Sequence, residues 1–365
     1  MSGVDEDIAE IPSSWSDITC LRITVGAINE TPTRQYAACY PDCFRSSCDL
    51  RRPARDSAGN SVLRYDEITG IFIDAFVPSG SGGLTSPQGL VFGPDGNLYV
   101  TNRVQINRYN GTTGALIDVF VPGGTGLVFA RDLAFGPDGN LYAINSSVGN
   151  TVLRYNGITG AFVDAFVPPG GAGLRETRGL EFGPDGNLYV TDHDSGQVKR
   201  FDIGTGAFLG DFLSEAVFSP NDAVFGPDGN LYVLAVSSAS SVLRFNGITG
   251  TFIDTFVDPG SGGAVNPQSL LFGPDGNLYV VSNCCVSPPL LGQNPNSVLR
   301  YNGTTGDFLD VFVPAGRGGL QSPVFLAFAP PSNGVPEPSS FILLTIGIFG
   351  LTASLGGLKW AFLPI

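Results

Sequence analysis

One eight-residue segment, FGPDGNLY, occurs five times in this chain and constrains its fold more than any other feature. The copies begin at Phe92, Phe135, Phe182, Phe225 and Phe272, at intervals of 43 or 47 residues. A second unit, VLRYNGxTGxFIDxFVP in its fullest form, alternates with them and occurs six times, around Arg64, Arg108, Arg154, Arg200, Arg244 and Arg300. Such a repeat indicates similar units that bury their apolar faces against their neighbours.

Each repeat predicts four short β-strands. The first strand ends at the repeated Phe, as in Leu90 to Phe92, and the second follows the Pro-Asp-Gly turn, as in residues 97–100. The third and fourth strands lie in the second unit, for example at residues 152–156 and 162–167. The chain's 50 glycines and 27 prolines suit these turns and disfavour long helices.

A period in the mid-forties is the length of one four-stranded propeller blade. Five units are complete between residues 88 and 314, whereas residues 61–78 supply only a hairpin and residues 320–330 only a first strand. Joining these two fragments gives a sixth blade, whose second strand has no clear source, although residues 49–60 lie in the right place along the chain. The sequence therefore predicts an all-β, six-bladed propeller over residues 61–330, closed by both ends of the chain.

These repeats resemble those of NHL-like six-bladed β-propellers over residues 61–330. The resemblance implies a fold, but it implies no single activity, because propellers serve as binding modules, scaffolds and enzymes.

The C-terminal segment predicts a membrane anchor. Residues 341–358 are uncharged and are followed by Lys359, and eighteen apolar residues are just long enough to span a bilayer as a helix. A linker at 331–340 precedes this helix, and a short end at 359–365 follows it.

The order of a VPEP motif, an apolar helix and a basic end resembles the PEP-CTERM sorting signal that exosortases recognise in Gram-negative bacteria. By this resemblance Pro336, Glu337 and Pro338 are the recognition element, exosortase is a partner, and the protein is membrane-anchored and then released to the cell surface or beyond it. The tail differs from such signals in ending with one basic residue, Lys359, instead of several arginines.

The first 60 residues share neither the repeat nor its composition, and their fold is uncertain. Residues 1–20 contain Asp5, Glu6, Asp7 and Glu10 and have no apolar run, so they do not resemble a signal peptide. Either the start is misassigned or rearranged, or the protein is not exported.

The net charge of −14, with lysines only at 199 and 359, leaves no basic stripe for phosphates. We therefore expect no nucleic-acid partner.

The early cysteines Cys20, Cys39, Cys43 and Cys48 lack the paired CxxC spacing of a zinc site. Adjacent Cys284 and Cys285 either form a vicinal disulfide or remain two free thiols, depending on the compartment.

The Arg of the second unit stands ten residues before an Asp in five of the six copies, for example Arg154 and Asp164. Cross-strand charge pairing within each hairpin explains this spacing better than a ring of arginines around an anion. The copy at Arg200 departs, with Gly210 ten residues on.

Candidate ligand contacts lie four residues before the repeated Phe, where the first strands open into the channel: Gln88, Arg131, Arg178, Asn221 and Gln268, with Asp132 and Asp222 beside two of them. Variable polar residues on a rigid scaffold are suited to a binding site. These side chains could instead join one blade to the next by hydrogen bonds. His193, the only histidine, lies between Asp192 and Asp194 and is either a solvated loop residue, a cation ligand or a base.

Two functions remain open. The first is an exported, exosortase-sorted binding or structural module that contacts an exopolysaccharide or a protein, without cofactor or metal. The second is a metal-dependent hydrolase or lyase that uses Asp132, Glu181, Asn221, Asp222 or His193 in the channel. The lone histidine has no evident catalytic partner, which favours the binding module over the enzyme.

Overall fold

The computed structural model describes residues 59–146, 149–237, 239–283, 292–329 and 340–345. These residues form 24 strands and four short 3₁₀ turns, at Ser81–Gly83, Gly171–Gly173, Ser261–Gly263 and Arg317–Gly319. In chain order the strands are β1 (Ser61–Asp66), β2 (Phe72–Val77), β3 (Leu90–Phe92), β4 (Leu98–Asn102), β5 (Gln105–Tyr109), β6 (Leu116–Val121), β7 (Ala130–Phe135), β8 (Leu141–Asn145), β9 (Thr151–Tyr155), β10 (Phe162–Val167), β11 (Thr177–Phe182), β12 (Leu188–Asp192), β13 (Gln197–Phe201), β14 (Phe208–Asp211), β15 (Pro220–Phe225), β16 (Leu231–Ala235), β17 (Ser241–Phe245), β18 (Phe252–Val257), β19 (Pro267–Phe272), β20 (Leu278–Ser282), β21 (Ser297–Tyr301), β22 (Phe308–Val313), β23 (Pro323–Phe328) and β24 (Ser340–Thr345).

The strands form six four-stranded antiparallel sheets, which are the blades of a propeller. Blades I to V are the meanders β3–β6, β7–β10, β11–β14, β15–β18 and β19–β22, and the closing blade has the order β23, β24, β1, β2. The first strand of each blade contacts the first strand of the next, including β23 against β3, so the ring is closed around a central channel. The predicted six-bladed, all-β architecture is confirmed.

The apolar core is divided among the contacts between neighbouring blades. Six clusters of buried residues each combine side chains from two adjacent blades. In one of them, Tyr99 of β4 lies edge-on to two rings, 4.8 Å from Phe120 of its own blade and 5.0 Å from Phe135 of the next. The Tyr and Phe of the FGPDGNLY repeat therefore meet across a blade interface.

The remaining residues of the repeat complete this contact. The Tyr99 hydroxyl donates a hydrogen bond of 3.0 Å to Asp95 Oδ2, and Asp95 Oδ1 accepts the Asn97 backbone N–H in the same turn. Burial raises the pKa of Tyr99 to about 12, so its hydroxyl stays protonated and able to donate. The same arrangement recurs at Tyr142, Tyr189, Tyr232 and Tyr279.

The predicted Arg–Asp pairs are present. Arg108 Nη2 lies 2.5 Å from Asp118 Oδ2, and its guanidinium stacks 5.1 Å above the Phe120 ring. The structure also forms the Arg64–Asp74, Arg154–Asp164, Arg244–Asp254 and Arg300–Asp310 pairs. In blade III, where Arg200 faces Gly210, the pair is formed instead by Lys199 Nζ and Asp211 Oδ1 at 2.7 Å. Each pair contributes about 0.2–1 kcal/mol.

The second strand of the closing blade comes from the C-terminal segment. Strand β24 (Ser340–Thr345) lies between β1 and β23 and is antiparallel to both, and Ile342, Leu343 and Leu344 are fully buried. Strands β1 and β23 each need a partner for their inner backbone N–H and C=O groups, and this apolar run satisfies both. The sequence offered no clear source for this strand, and residues 340–345 supply it in place of residues 49–60.

The same finding corrects the predicted membrane helix. Residues 341–345, the first five of the proposed helix at 341–358, are part of a β-strand. Among the described residues, no helix has the length and apolar character needed to cross a bilayer. The propeller also extends beyond residue 330 to include β24.

Several predictions fall on other parts of the chain. Residues 1–58, the cysteines at 284 and 285, the motif Pro336, Glu337 and Pro338, and residues 346–365 lie outside the described residues.

We expect Leu343→Ala to lower the free energy of unfolding by about 2–5 kcal/mol, because it leaves a cavity in the closing blade, where Leu343 is 0% exposed. The matched control is Ile73→Ala in β2 of the same blade. Ile73 is 41% exposed, so its loss should change stability by no more than about 0.5 kcal/mol. Urea denaturation of both variants measures the difference, and equal midpoints would show that β24 does not belong to the ring.

Candidate functional site

The first strands bring seven of the predicted site residues to one pocket. Its lining consists of Gln88, Arg131, Asp132, Arg178, Gly179, Asn221, Asp222, Gln268, Val324 and Phe325. The residue four before the Phe is polar in blades I to V, and the closing blade supplies Val324 instead. The cavity of about 20 Å³ is large enough for one water-sized group. We call it the channel pocket.

Two carboxylates of the channel pocket join neighbouring blades. Asp132 Oδ1 accepts the N–H of Leu133 at 2.8 Å, and its Oδ2 accepts the N–H of Leu180 in blade III at 2.9 Å. Asp222 likewise accepts N–H groups from its own blade and, at 3.2 Å, from Leu270 in blade V. Both side chains therefore join one blade to the next by hydrogen bonds.

A glycine makes room for one of these carboxylates. A Cβ placed on Gly179 of blade III would lie 2.5 Å from Asp222 Oδ1. No side chain larger than hydrogen therefore fits at residue 179 while Asp222 holds this position.

Burial makes the channel carboxyls weak acids. It raises the pKa of Asp132 to about 7 and, together with the nearby Asp132 charge, raises the pKa of Glu181 to about 8. The pKa of Asp222 is raised as well, through burial and then through Asp132. Near neutral pH these groups therefore retain protons that exposed carboxyls lose.

The two arginines of the channel pocket differ in their partners. Arg178 Nη2 donates to Glu176 Oε1. Arg131 forms no hydrogen bond or ion pair of its own within the described part of the chain. Burial and the neighbouring Arg178 charge lower the pKa of Arg131 to about 9, which leaves it protonated at neutral pH. Arg131 is thus a partly buried cation available to an acceptor group.

Asn221 adds an unused acceptor to the channel pocket. Its Nδ2 donates to the carbonyl oxygen of Pro267 at 2.8 Å, so this residue also joins two blades. The residue is only 5% exposed, and its buried Oδ1 accepts no hydrogen bond from the described residues. A ligand donor or a water can therefore bind there.

His193 lies apart from the channel pocket, in the turn between β12 and β13. Its side chain is 22% exposed and its Nδ1 atom is fully buried. Nδ1 lies 3.6 Å from Glu176 Oε2 and 3.5 Å from Asp194 Oδ1. The sequence did not identify Glu176 as a neighbour of His193, because it stands in a connecting loop 17 residues earlier in the chain. The one sequence signal for it was its position two residues before Arg178, a predicted channel residue.

The fold and the channel pocket define the protein as a six-bladed β-propeller with four-stranded blades. No protein-family model and no curated protein sequence matches the chain.

Solved structures of similar fold include a gluconolactonase, XC5397 from Xanthomonas campestris. It is 16% identical, with 72% of this chain and 86% of that chain covered and a TM-score of 0.52. A protein of unknown function from Bacteroides caccae is 13% identical, with 73% and 97% covered and a TM-score of 0.53. Virginiamycin B lyase from Staphylococcus aureus is 18% identical, with 64% and 72% covered and a TM-score of 0.47. At these identities the likeness concerns the fold alone.

We expect Glu181→Gln to reduce the loss of stability that accompanies rising pH. The folded state keeps the Glu181 proton up to a pKa of about 8, whereas the unfolded chain releases it near its ordinary value of 4.5, so the free energy of unfolding falls between these pH values. Urea denaturation at pH 5 and pH 8 measures this slope. The exposed Glu215→Gln should leave it unchanged, and a slope equal in all three proteins would contradict the raised pKa.

Proposed function

We propose that this chain is a binding module whose channel pocket holds one oxygen-rich acceptor group of a larger ligand. The observation that carries this proposal is Arg131, a protonated guanidinium in the channel without a partner among the described residues. An acceptor group would supply the missing hydrogen bonds and counter-charge. Gln88 and Gln268 line the same cavity and offer amides to neighbouring hydroxyls.

The size of the cavity and the net charge of the protein limit which ligands can bind. A cavity of about 20 Å³ accepts the end of a carboxylate or carbonyl group but no sugar ring. The net charge of −14 opposes a densely charged polyanion. The ligand that fits best is an exopolysaccharide with isolated acidic sugars, and a protein side chain that carries a carboxylate is the other candidate.

We expect Arg131→Gln to weaken binding of a neutral xylo-oligosaccharide that carries one glucuronate by about 10–100-fold. This range corresponds to the loss of a hydrogen bond to a charged group, about 1.5–3 kcal/mol. Arg103→Gln, an exposed arginine in the β4–β5 turn, is the matched control and should bind as the original chain does. Isothermal titration calorimetry measures both. Equal affinity for the oligosaccharide without glucuronate would refute an acidic ligand.

We also propose that the protein is exported and sorted to the cell surface or extracellular matrix by an exosortase. The PEP motif at residues 336–338 and the apolar tail support this, by their resemblance to a sorting signal. Strand β24 limits when the tail can span the membrane, because its residues cannot be in a membrane helix and in the closing blade at once. Membrane anchoring through residues 341–358 would therefore precede closure of the ring, or would begin after Thr345.

We expect the C-terminus of the mature protein to lie after Thr345 and before Ile365. A cut at the PEP motif would remove β24 and leave β1 and β23 with unpaired edges. Mass spectrometry of the protein from its native cells gives the C-terminus directly. A C-terminus between residues 335 and 340 would show that the mature ring closes without β24, and an intact Met1 together with an intact Ile365 would contradict export and processing.

A second candidate function is a hydrolase or lyase that works in the channel. The raised pKa of Glu181, about 8, favours it, since a carboxyl that titrates near neutral pH can act as a general acid or base. If the protein is a hydrolase or lyase, Glu181→Gln should abolish its catalytic turnover. If it is a binding module, the variant has no turnover to lose and should still bind the ligand.

A further inference from the structure

We propose that Glu176, His193 and Asp194 form a binding site for a divalent transition-metal ion of the Zn²⁺ class on the loop face of blade III. The three side chains each offer one ligand atom, and these atoms all lie within 4.8 Å of one another. The site lies outside the channel pocket and does not depend on the proposed function.

The two segments that carry these residues are held together by Asp192, the buried last residue of β12. Its Oδ1 accepts the backbone N–H of Glu176 at 3.0 Å, and its Oδ2 accepts the Ser195 hydroxyl at 2.7 Å. The His193 N–H also donates to the Glu176 carbonyl oxygen at 2.9 Å. The loop before β11 and the turn after β12 are therefore fixed against each other, which brings the three residues together before any ion binds.

The distances within the cluster suit a shared ion better than direct hydrogen bonds. Nδ1 of His193 lies 3.6 Å from Glu176 Oε2 and 3.5 Å from Asp194 Oδ1, beyond the 2.7–3.2 Å of an ordinary hydrogen bond. Around a tetrahedral Zn²⁺ with bonds of about 2.0–2.2 Å, neighbouring ligand atoms lie about 3.4 Å apart. The two distances are close to this value.

The His193 nitrogen that faces the carboxylates has no other use within the described residues. Nδ1 is fully buried and forms no hydrogen bond. Two carboxylate oxygens near Nδ1 favour a positive charge at this nitrogen, which either a proton or a metal ion can supply. A metal ion supplies this charge and uses all three lone pairs.

Arg178 supports the cluster from the side of the channel. Its Nη2 donates to Glu176 Oε1, which leaves Oε2 directed at His193. Outer partners of this kind orient a carboxylate ligand and are a regular feature of metal sites. Arg178 and Arg131 both lie within electrostatic range of Glu176, so a divalent cation would enter a cluster whose carboxylates are already partly neutralised.

The ligand set selects the metal. Imidazole nitrogen suits zinc and its transition-metal neighbours, whereas calcium and magnesium prefer oxygen ligands alone. Three protein ligands also leave one position of a tetrahedral Zn²⁺ open for water. We therefore expect Zn²⁺ to bind and Ca²⁺ at the same concentration not to compete.

The single histidine of the chain makes the test direct. In protein labelled with ¹⁵N-histidine, the only imidazole signals come from His193. We expect added Zn²⁺ to shift the Nδ1 resonance and to saturate at one ion, whereas zinc bound by cysteines elsewhere would leave this resonance in place. A Nδ1 signal that does not move at saturating Zn²⁺, or a shift confined to Nε2, would overturn the proposal.

Variants test the two carboxylates. Glu176→Gln and Asp194→Asn should each weaken the Zn²⁺ affinity read from the Nδ1 shift at least about tenfold, the lower limit found even for outer partners of metal ligands. Asp258→Asn, an exposed aspartate in blade IV, is the control and should leave the affinity unchanged. Because Gln can still accept the Arg178 hydrogen bond, a fold defect is not expected. Unchanged affinity in both variants would overturn the site.

Discussion

The edge-on contact of one tyrosine with two phenylalanines at the interface between blades is the interaction on which the ring depends. A four-stranded sheet of this size exposes apolar residues on both faces, and only a neighbouring blade can cover them. Tyr99 fills this interface with its ring and places its hydroxyl on Asp95 at the rim, so one residue packs the core and fixes the turn. Each aromatic pair adds about 0.5–1.5 kcal/mol beyond burial, and five blades repeat the contact.

The closing blade replaces this contact with aliphatic packing. Phe341 pairs with Phe328 as Leu278 pairs with Phe272, and Ile342 stands opposite Arg64 as Tyr279 stands opposite Arg300. Ile342 therefore occupies the place of the repeated tyrosine. Strand β24, from the far end of the chain, pairs with the first hairpin, so the closing blade holds the two ends of the ring together.

Blades I to V could be predicted from the sequence because turn residues fix the strand ends. The fourth strand of blade II has the predicted bounds, Phe162–Val167, and the second strand of blade I begins one residue later than expected.

Strand β24 could not be predicted. Its run SFILLT has no Pro-Asp-Gly turn and no tyrosine, and an apolar run of this kind suits a membrane helix or a buried strand equally well. The seven polar residues of the channel pocket could be predicted, because they share one position in the repeat or lie directly beside it. The contact of Glu176 with His193 could not, because it depends on the hydrogen bonds of Asp192 and does not recur in the other blades.

The departures from the repeat are concentrated in blade III. A propeller of near-identical blades offers six equivalent positions around its axis, so a blade that departs from the repeat gives its position a different chemistry. Glu181 stands where the other blades have Val91, Ala134, Val224, Leu271 and Ala327. Blade III also contributes Arg178 to the channel pocket and the Glu176, His193 and Asp194 cluster to the loop face. Arg178 lines the pocket and binds Glu176, so this one side chain connects the two sites. An ion that fixes Glu176 would also fix Arg178, and with it the charge that lowers the pKa of Arg131 in the neighbouring blade.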